Sequence, residues 1–180
     1  MVVRTVRALA GSCHPLPSVA VTAFGTALAA AAGNGAGTCV LVAVAVLAGQ
    51  LSIGWSNDRI DVRLDRAAGR LDKPVAGGAV PVRAVEAAIA AAVAVCVAGS
   101  LALGWRAGLL HLGAVACGWL YNLGLKATVV SWLPYAAAFG SLPGVATLAL
   151  PSAPGPAAWA VAAGALLGVA AHLTNALPDL

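Results

Sequence analysis

Long stretches of Ala, Val, Leu and Gly alternate with short polar interruptions along this chain, and the apolar stretches fall in one length class. They run over 15–32, 38–55, 84–103, 108–125, 128–150 and 157–177, close to the roughly 17–25 residues that carry a helix across a bilayer. The pattern predicts six transmembrane helices in an all-α polytopic bundle, a single membrane domain over 1–180. The separators are of the kind that end helices: Gly33 to Gly37, Gly104 with Trp105 and Arg106, Lys126, and the run Pro151 to Pro156. In the fifth stretch Pro134 and Pro143-Gly144 predict either a kink or a division into half-helices. Gly164 and Gly168, at spacing four, suit close approach to a neighbouring helix.

The longest interruption is an Asp-rich loop over 56–83. Between Asn57 and Gly78 it carries four of the chain's six acidic residues. At about 100° per helical residue, Asn57, Asp58, Asp61 and Asp65 fall within an arc of roughly 100°, and Arg59, Arg63, Arg66 and Arg70 fall opposite. A solvated charged loop is the ordinary reading of such a segment, but exposed helices usually place opposite charges three or four residues apart. Here the pairs at those spacings, Asp58/Asp61, Asp61/Asp65, Arg59/Arg63, Arg63/Arg66 and Arg66/Arg70, are all of like charge. Each costs a few tenths of a kcal/mol in an isolated helix. Something outside the helix must offset the carboxylate face, and a divalent cation is the simplest candidate.

Composition places the chain in the membrane: 61% of residues are hydrophobic and 9% charged, with a mean hydropathy of +0.94, well outside the range of soluble domains. Putting the N-terminus in the cytoplasm leaves Arg4, Arg7, Arg59, Arg63, Arg66, Arg70, Lys73, Arg83 and Lys126 inside and only Arg106 outside. The net charge of +4 is then a signal of topology in the cell membrane and no sign of a nucleic-acid partner. The acidic cluster faces the cytoplasm. Arg4 and Arg7, the following apolar stretch and the small residues at Ala27 to Ala31 also read as a cleaved signal peptide, although the stretch is long for a signal core, which favours a retained first helix.

Other reactive residue types lack the spacing of a site. Cys13, Cys39, Cys96 and Cys117 are scattered and read as small buried thiols. His14, His111 and His172 show no mutual metal-ligand spacing. His14 reads as interfacial and His111 as helix-terminal, while His172 lies one turn before Asn175. Trp55, Trp105 and Trp132 stand near helix ends as interfacial anchors, and Trp119 and Trp159 read as packing residues.

Asn57-Asp58-x-x-Asp61-x-x-x-Asp65 followed by Lys73-Pro74-x-x-x-Gly78, just after the second membrane helix, resembles the first signature of the UbiA superfamily of intramembrane prenyltransferases. Tyr121-Asn122-x-x-x-Lys126, after the fourth helix, resembles a further cytoplasmic element of that family. Asn175-x-x-x-Asp179 is similar to the beginning of its second Asp-rich signature, with Asn in place of a first Asp. Members have about nine membrane helices, so the resemblance implies about three more beyond Leu180 and an inactive 1–180 segment. It also implies that Lys126 contacts diphosphate and that Tyr121 or Asn122 shapes the pocket. Read without it, Lys126 is a topology charge, Tyr121 an interfacial ring, and Asn175 with Asp179 a capped helix end.

The chemistry suits the residue types. Mg2+ takes hard oxygen ligands, typically one or two carboxylates plus substrate phosphates. Asn57, Asp61 and Asp65, with Asp58 in support, are therefore expected to hold Mg2+ and a prenyl diphosphate, with Arg70, Lys73 and Asn175 on the substrate and Asp179 on an opposing metal. Asp61, Asp65 and Lys126 are the expected catalytic residues. Apolar helices would hold the isoprenoid tail and keep water from the carbocation. By the resemblance, an acceptor attacks, commonly an aromatic ring such as a hydroxybenzoate or naphthoate. Two rival readings stand: a non-catalytic membrane protein or partner subunit with a lipid-diphosphate site, and a cation transporter, which would place its acids nearer the bilayer midplane. Acceptor, prenyl chain length and oligomeric state are not fixed by the sequence.

Overall fold

Ala, Val and Leu dominate each apolar stretch, and with few interior breakers they form helices. The computed structural model describes residues 8–177, and in it the six stretches become six helices: α1 Pro15–Ala31, α2 Ala36–Ala67, α3 Val82–Ala102, α4 Trp105–Leu123, α5 Trp132–Leu148 and α6 Ala158–Ala176. Residues 8–12 add a helical turn before α1, and Leu125–Ala127 a 3₁₀ turn after α4. No strand occurs among the described residues. By length and composition α2, α3 and α6 suffice to cross a membrane, and α1 is a shorter apolar helix.

Polarity alone marked 56–83 as loop, but α2 continues unbroken through Ala67, so the loop proper is 68–81. With 32 residues, α2 is about 48 Å long against a hydrocarbon core of about 30 Å. Its last three turns, with all of the acidic stripe, therefore project beyond the apolar span. A second cluster of buried side chains, Val62, Val75, Val80 and Val85, pins the loop against α2 and α3.

The prolines of the fifth stretch do not divide it: Pro134 lies in the first turn of α5 and Pro143 within it. Pro143 has no N–H, so the Phe139 carbonyl loses its partner one turn back. That carbonyl faces α6 at Gly164, where a Cβ would stand only 2.6 Å away. At Gly168 a Cβ would collide with the Tyr135 carbonyl. The two glycines thus let α5 and α6 meet backbone to backbone, as their spacing suggested.

The main core joins α1, α2, α4, α5 and the turn between α3 and α4 through Ala29, Val42, Ala45, Val46, Leu103, Ala107, Val145 and Ala146. Helices α1 and α2 pack together, α2 on α3, α4 on α5 and α5 on α6, while α1 also meets α5 and α2 meets α4. Alternating helix directions bring the start of α1, the end of α2, the end of α4, the start of α5 and the end of α6 to one end of the bundle. That is the acidic end.

Two placements differ from expectation. Gly104, at φ +96°, starts α4 at once, so His111 lies two turns inside the helix and is buried. Trp159, expected to pack, is 76% exposed at the start of α6 and belongs with Trp105 and Trp132 as a ring at a helix end.

Candidate active site

The acidic stripe of α2 is turned inward and met by cations from two other segments, with His14 beside them. Asp58 and Asp65 are only 3% and 2% exposed. Lys73, from the 68–81 loop, places Nζ 2.9 Å from Asp65 Oδ2 and 3.6 Å from Asp58 Oδ1. Arg70 Nε lies 3.4 Å from Asp65 Oδ1. Lys126, on the 3₁₀ turn, donates to Asp61 Oδ2 and lies 3.4 Å from Asn57 Oδ1. His14 Nε2 stands 3.8 Å from Asp58 Oδ1. Beyond the apolar span, burial pushes the Asp58 carboxyl above the usual carboxylate range, against the pull of Lys73 and then of His14.

The offset inferred from like-charge spacing is therefore real, and in the structure Lys73, Arg70 and Lys126 supply it. Of the opposite stripe, Arg59 Nη2 pairs with Glu86 at 2.8 Å and Arg66 Nε donates to the Ala76 carbonyl at 3.1 Å, whereas Arg70, expected on that side, lies past the helix end at Ala67 and turns to Asp65 instead. Among the described residues no three His, Cys, Asp or Glu side chains cluster as a cage for a metal ion. The donor set of Asn57, Asp61, Asp65 and Asp58 fits a different arrangement, Mg2+ held by one or two carboxylates with the remaining oxygens from phosphate.

Beneath the stripe a cavity of about 460 Å³ opens between α1, α2, α4, α5 and α6. Asn57, His14, Tyr121, Asn122 and Asn175 line its mouth, and Ile53, Val115, Phe139 and Leu142 its apolar walls. Tyr121 and Tyr135 meet edge to face with ring centroids 5.1 Å apart, and His172 completes the aromatic group at 5.4 Å from Tyr135. Asn122 also ties α4 to α2, Nδ2 donating to the Ile53 carbonyl at 2.8 Å and to Ser56 Oγ at 2.9 Å.

Of the expected site residues, Asn57, Asp58, Asp61, Asp65, Arg70, Lys73 and Lys126 converge as one charged group, and Tyr121, Asn122 and Asn175 join them at the cavity mouth. Asp179 lies outside the described residues. Sequence reasoning passed over His14, Tyr135, Gln50 and His111, all of which line the cavity. For Gln50 and His111 the signal was present: a polar side chain within a membrane stretch marks a site by default.

The model of the UbiA prenyltransferase family matches residues 15–180. No curated protein and no solved structure matches the chain. The chain belongs to the UbiA prenyltransferase family, a family of intramembrane prenyltransferases.

Proposed function

We propose that this UbiA-family chain transfers a prenyl group from a prenyl diphosphate to a hydrophobic, aromatic acceptor inside the membrane, with Mg2+ as cofactor and diphosphate as leaving group. The observation that carries the reading is the juxtaposition of a buried stripe of acids and its three cations with the mouth of an apolar cavity. Lipid diphosphates have that polarity: a multiply charged head on an apolar tail.

Lys126, Lys73 and Arg70 bind the diphosphate oxygens and hold the head at the mouth. Asn57, Asp61 and Asp65, with Asp58 in support, are the residues that would hold Mg2+. The chemistry it would supply there is neutralisation of the charge that builds on the departing diphosphate. The allylic carbon–oxygen bond breaks with its electron pair going to the diphosphate oxygen. An acceptor ring carbon then bonds to the allylic carbon, and that ring carbon gives its proton to the released diphosphate. The cavity walls exclude water from the cation, and the faces of Tyr121 and Tyr135 offer it π density. In this reading the acidic end faces the cytoplasm from the cell membrane, and Asn175 approaches the substrate from α6.

The test is transfer of a radiolabelled prenyl group in membranes carrying the protein, with Mg2+, comparing wild type with Asp61→Asn, Asp65→Asn and Lys126→Met. Losses of about 100-fold or more are expected, the scale for removing a group that stabilises developing charge. Undiminished transfer by the Asp61→Asn/Asp65→Asn double variant would overturn the site. Binding of a prenyl diphosphate analogue with no product from any acceptor would favour a non-catalytic lipid-diphosphate protein.

A further inference from the structure

The cavity has a polar floor that the chemistry at its mouth does not use. Gln50 and His111 both line it. At 1.5 Å per residue Gln50 lies about 10 Å along α2 from Asn57, and His111 about 15 Å along α4 from Tyr121. They share a level, because His111 Cε1 would stand 3.6 Å from a Cβ placed on Gly49, the neighbour of Gln50. The Gln50 amide has no hydrogen-bond partner among the described residues. Unpaired polar groups at such depth are costly.

The hydrogen bonds behind the imidazole fix what it presents. Ser100 Oγ donates to the Cys96 carbonyl, and a serine hydroxyl has one proton to give. Its oxygen, 2.7 Å from His111 Nδ1, must therefore accept from Nδ1–H. An imidazolium at mid-bilayer depth is expensive, so the ring is neutral and its lone pair is on Nε2. That nitrogen has no partner among the described residues, and the ring is 3% exposed. A ligand that satisfies it must bring an O–H or N–H donor.

Resting on the prenyl-transfer reading, we infer that Gln50 and His111 recognise the hydroxyl of an aromatic acceptor, His111 Nε2 accepting from the O–H and the Gln50 amide donating to its oxygen. With the diphosphate held at Lys126, the interval between Asn57 and Gln50 is left for the allylic carbon and the acceptor ring, whose hydroxyl reaches the floor. Accepting that hydrogen bond shifts electron density from the O–H into the ring and makes its ortho and para carbons better nucleophiles. No bond breaks in this contact. Ser100 is a positioning residue that sets the histidine tautomer.

The experiment uses the chain in lipid nanodiscs and two probes that share a ring, β-naphthol and its methyl ether, of which only the first can donate. Wild type is expected to bind the naphthol about tenfold more tightly than the ether, the scale of one buried hydrogen bond. His111→Phe abolishes the preference with ether affinity unchanged, and His111→Gln, which restores an acceptor, recovers part of it. Nitrogen NMR of labelled histidine is expected to show Nε2 unprotonated and moved by the naphthol alone, with a mixed tautomer in Ser100→Ala and the original one in Ser100→Thr. Retained preference in His111→Phe, or a protonated Nε2 in wild type, overturns the inference. Should His111→Phe also lose the ether, the tautomer measured on wild type decides alone. No prenyl donor is present, so failed transfer in membranes leaves this result standing, and a lost naphthol preference leaves the transfer reading standing.

Discussion

Replacing Lys73 with Met removes one ammonium shared by two buried carboxylates. Nζ lies 2.9 Å from Asp65 and 3.6 Å from Asp58, whose side chains are 2% and 3% exposed. After the change Asp65 keeps Arg70 at 3.4 Å, through a guanidinium that is 56% exposed. Among the described residues Asp58 keeps only His14 at 3.8 Å. Breaking a buried pair from one side costs about 3–5 kcal/mol. Arg70 retains part of that, and the already raised Asp58 carboxyl takes up a proton more readily, so about 2–3 kcal/mol is expected. Equilibrium unfolding in mixed lipid–detergent micelles would measure it. A Lys73→Met/Asp65→Asn double variant, with both charges gone, is expected to recover at least about 1 kcal/mol, because the two groups are coupled. Mg2+ is expected to raise the stability of Lys73→Met more than that of wild type, since the freed oxygens become available. A single variant within about 0.5 kcal/mol of wild type, as for an ordinary surface change, would refute the bridging role.

Two further outcomes test the frame around the site. Gly168→Val drives a side chain into the Tyr135 carbonyl and is expected to lose about 1–3 kcal/mol or the α5–α6 contact altogether. Gly113→Ala meets nothing within 4 Å on its helix and is expected to gain up to about 1 kcal/mol from helix propensity. The same unfolding measurement serves both, and equal effects would undo the packing argument. Asn122→Asp turns a carboxylate toward the Ile53 carbonyl in place of the donating amide, so it is expected to destabilise more than Asn122→Ala, itself about 1–3 kcal/mol. The reverse order would show that the amide does not tie α4 to α2.

The six helices were legible because an apolar stretch of roughly 17–25 residues in a bilayer can satisfy its own backbone hydrogen bonds only as a helix. The end of α2 was half legible. Its charge stripes had helical spacing, but polarity marked the segment as loop, and only the tertiary partners of the acids explain why the helix persists through Ala67. Those partners could not be read directly: Lys126 and Asp61 are 65 residues apart, and no local rule pairs them. The spacing demanded compensation and a divalent cation was its simplest source, whereas in the structure Lys73, Arg70 and Lys126 face the acids. His111 was misjudged by a boundary error of three residues, since Gly104 starts α4 at Trp105 and not at 108. Its partner Ser100 belongs to a different helix, so the relay that fixes its tautomer was beyond any periodicity argument.

If the site takes a diphosphate as proposed, its charge count decides how the diphosphate enters. Asp58, Asp61 and Asp65 face Lys73, Arg70 and Lys126, so the group is balanced before substrate arrives. A diphosphate that takes over the three cations strips them from their carboxylates and leaves an excess of negative charge in a half-buried setting, which is strongly unfavourable. Binding therefore requires positive charge to enter with the substrate, which a diphosphate paired with a divalent ion provides. A direct consequence concerns Asp61→Asn. That change frees Lys126 from its only charged partner among the described residues, so a non-hydrolysable prenyl diphosphate analogue is expected to bind the variant several-fold more tightly than wild type when Mg2+ is chelated, although transfer is lost. Titration of the analogue with and without chelator measures this. Weaker binding by Asp61→Asn under chelation would mean that Asp61 contacts the head group itself, and the balanced-charge account would fail.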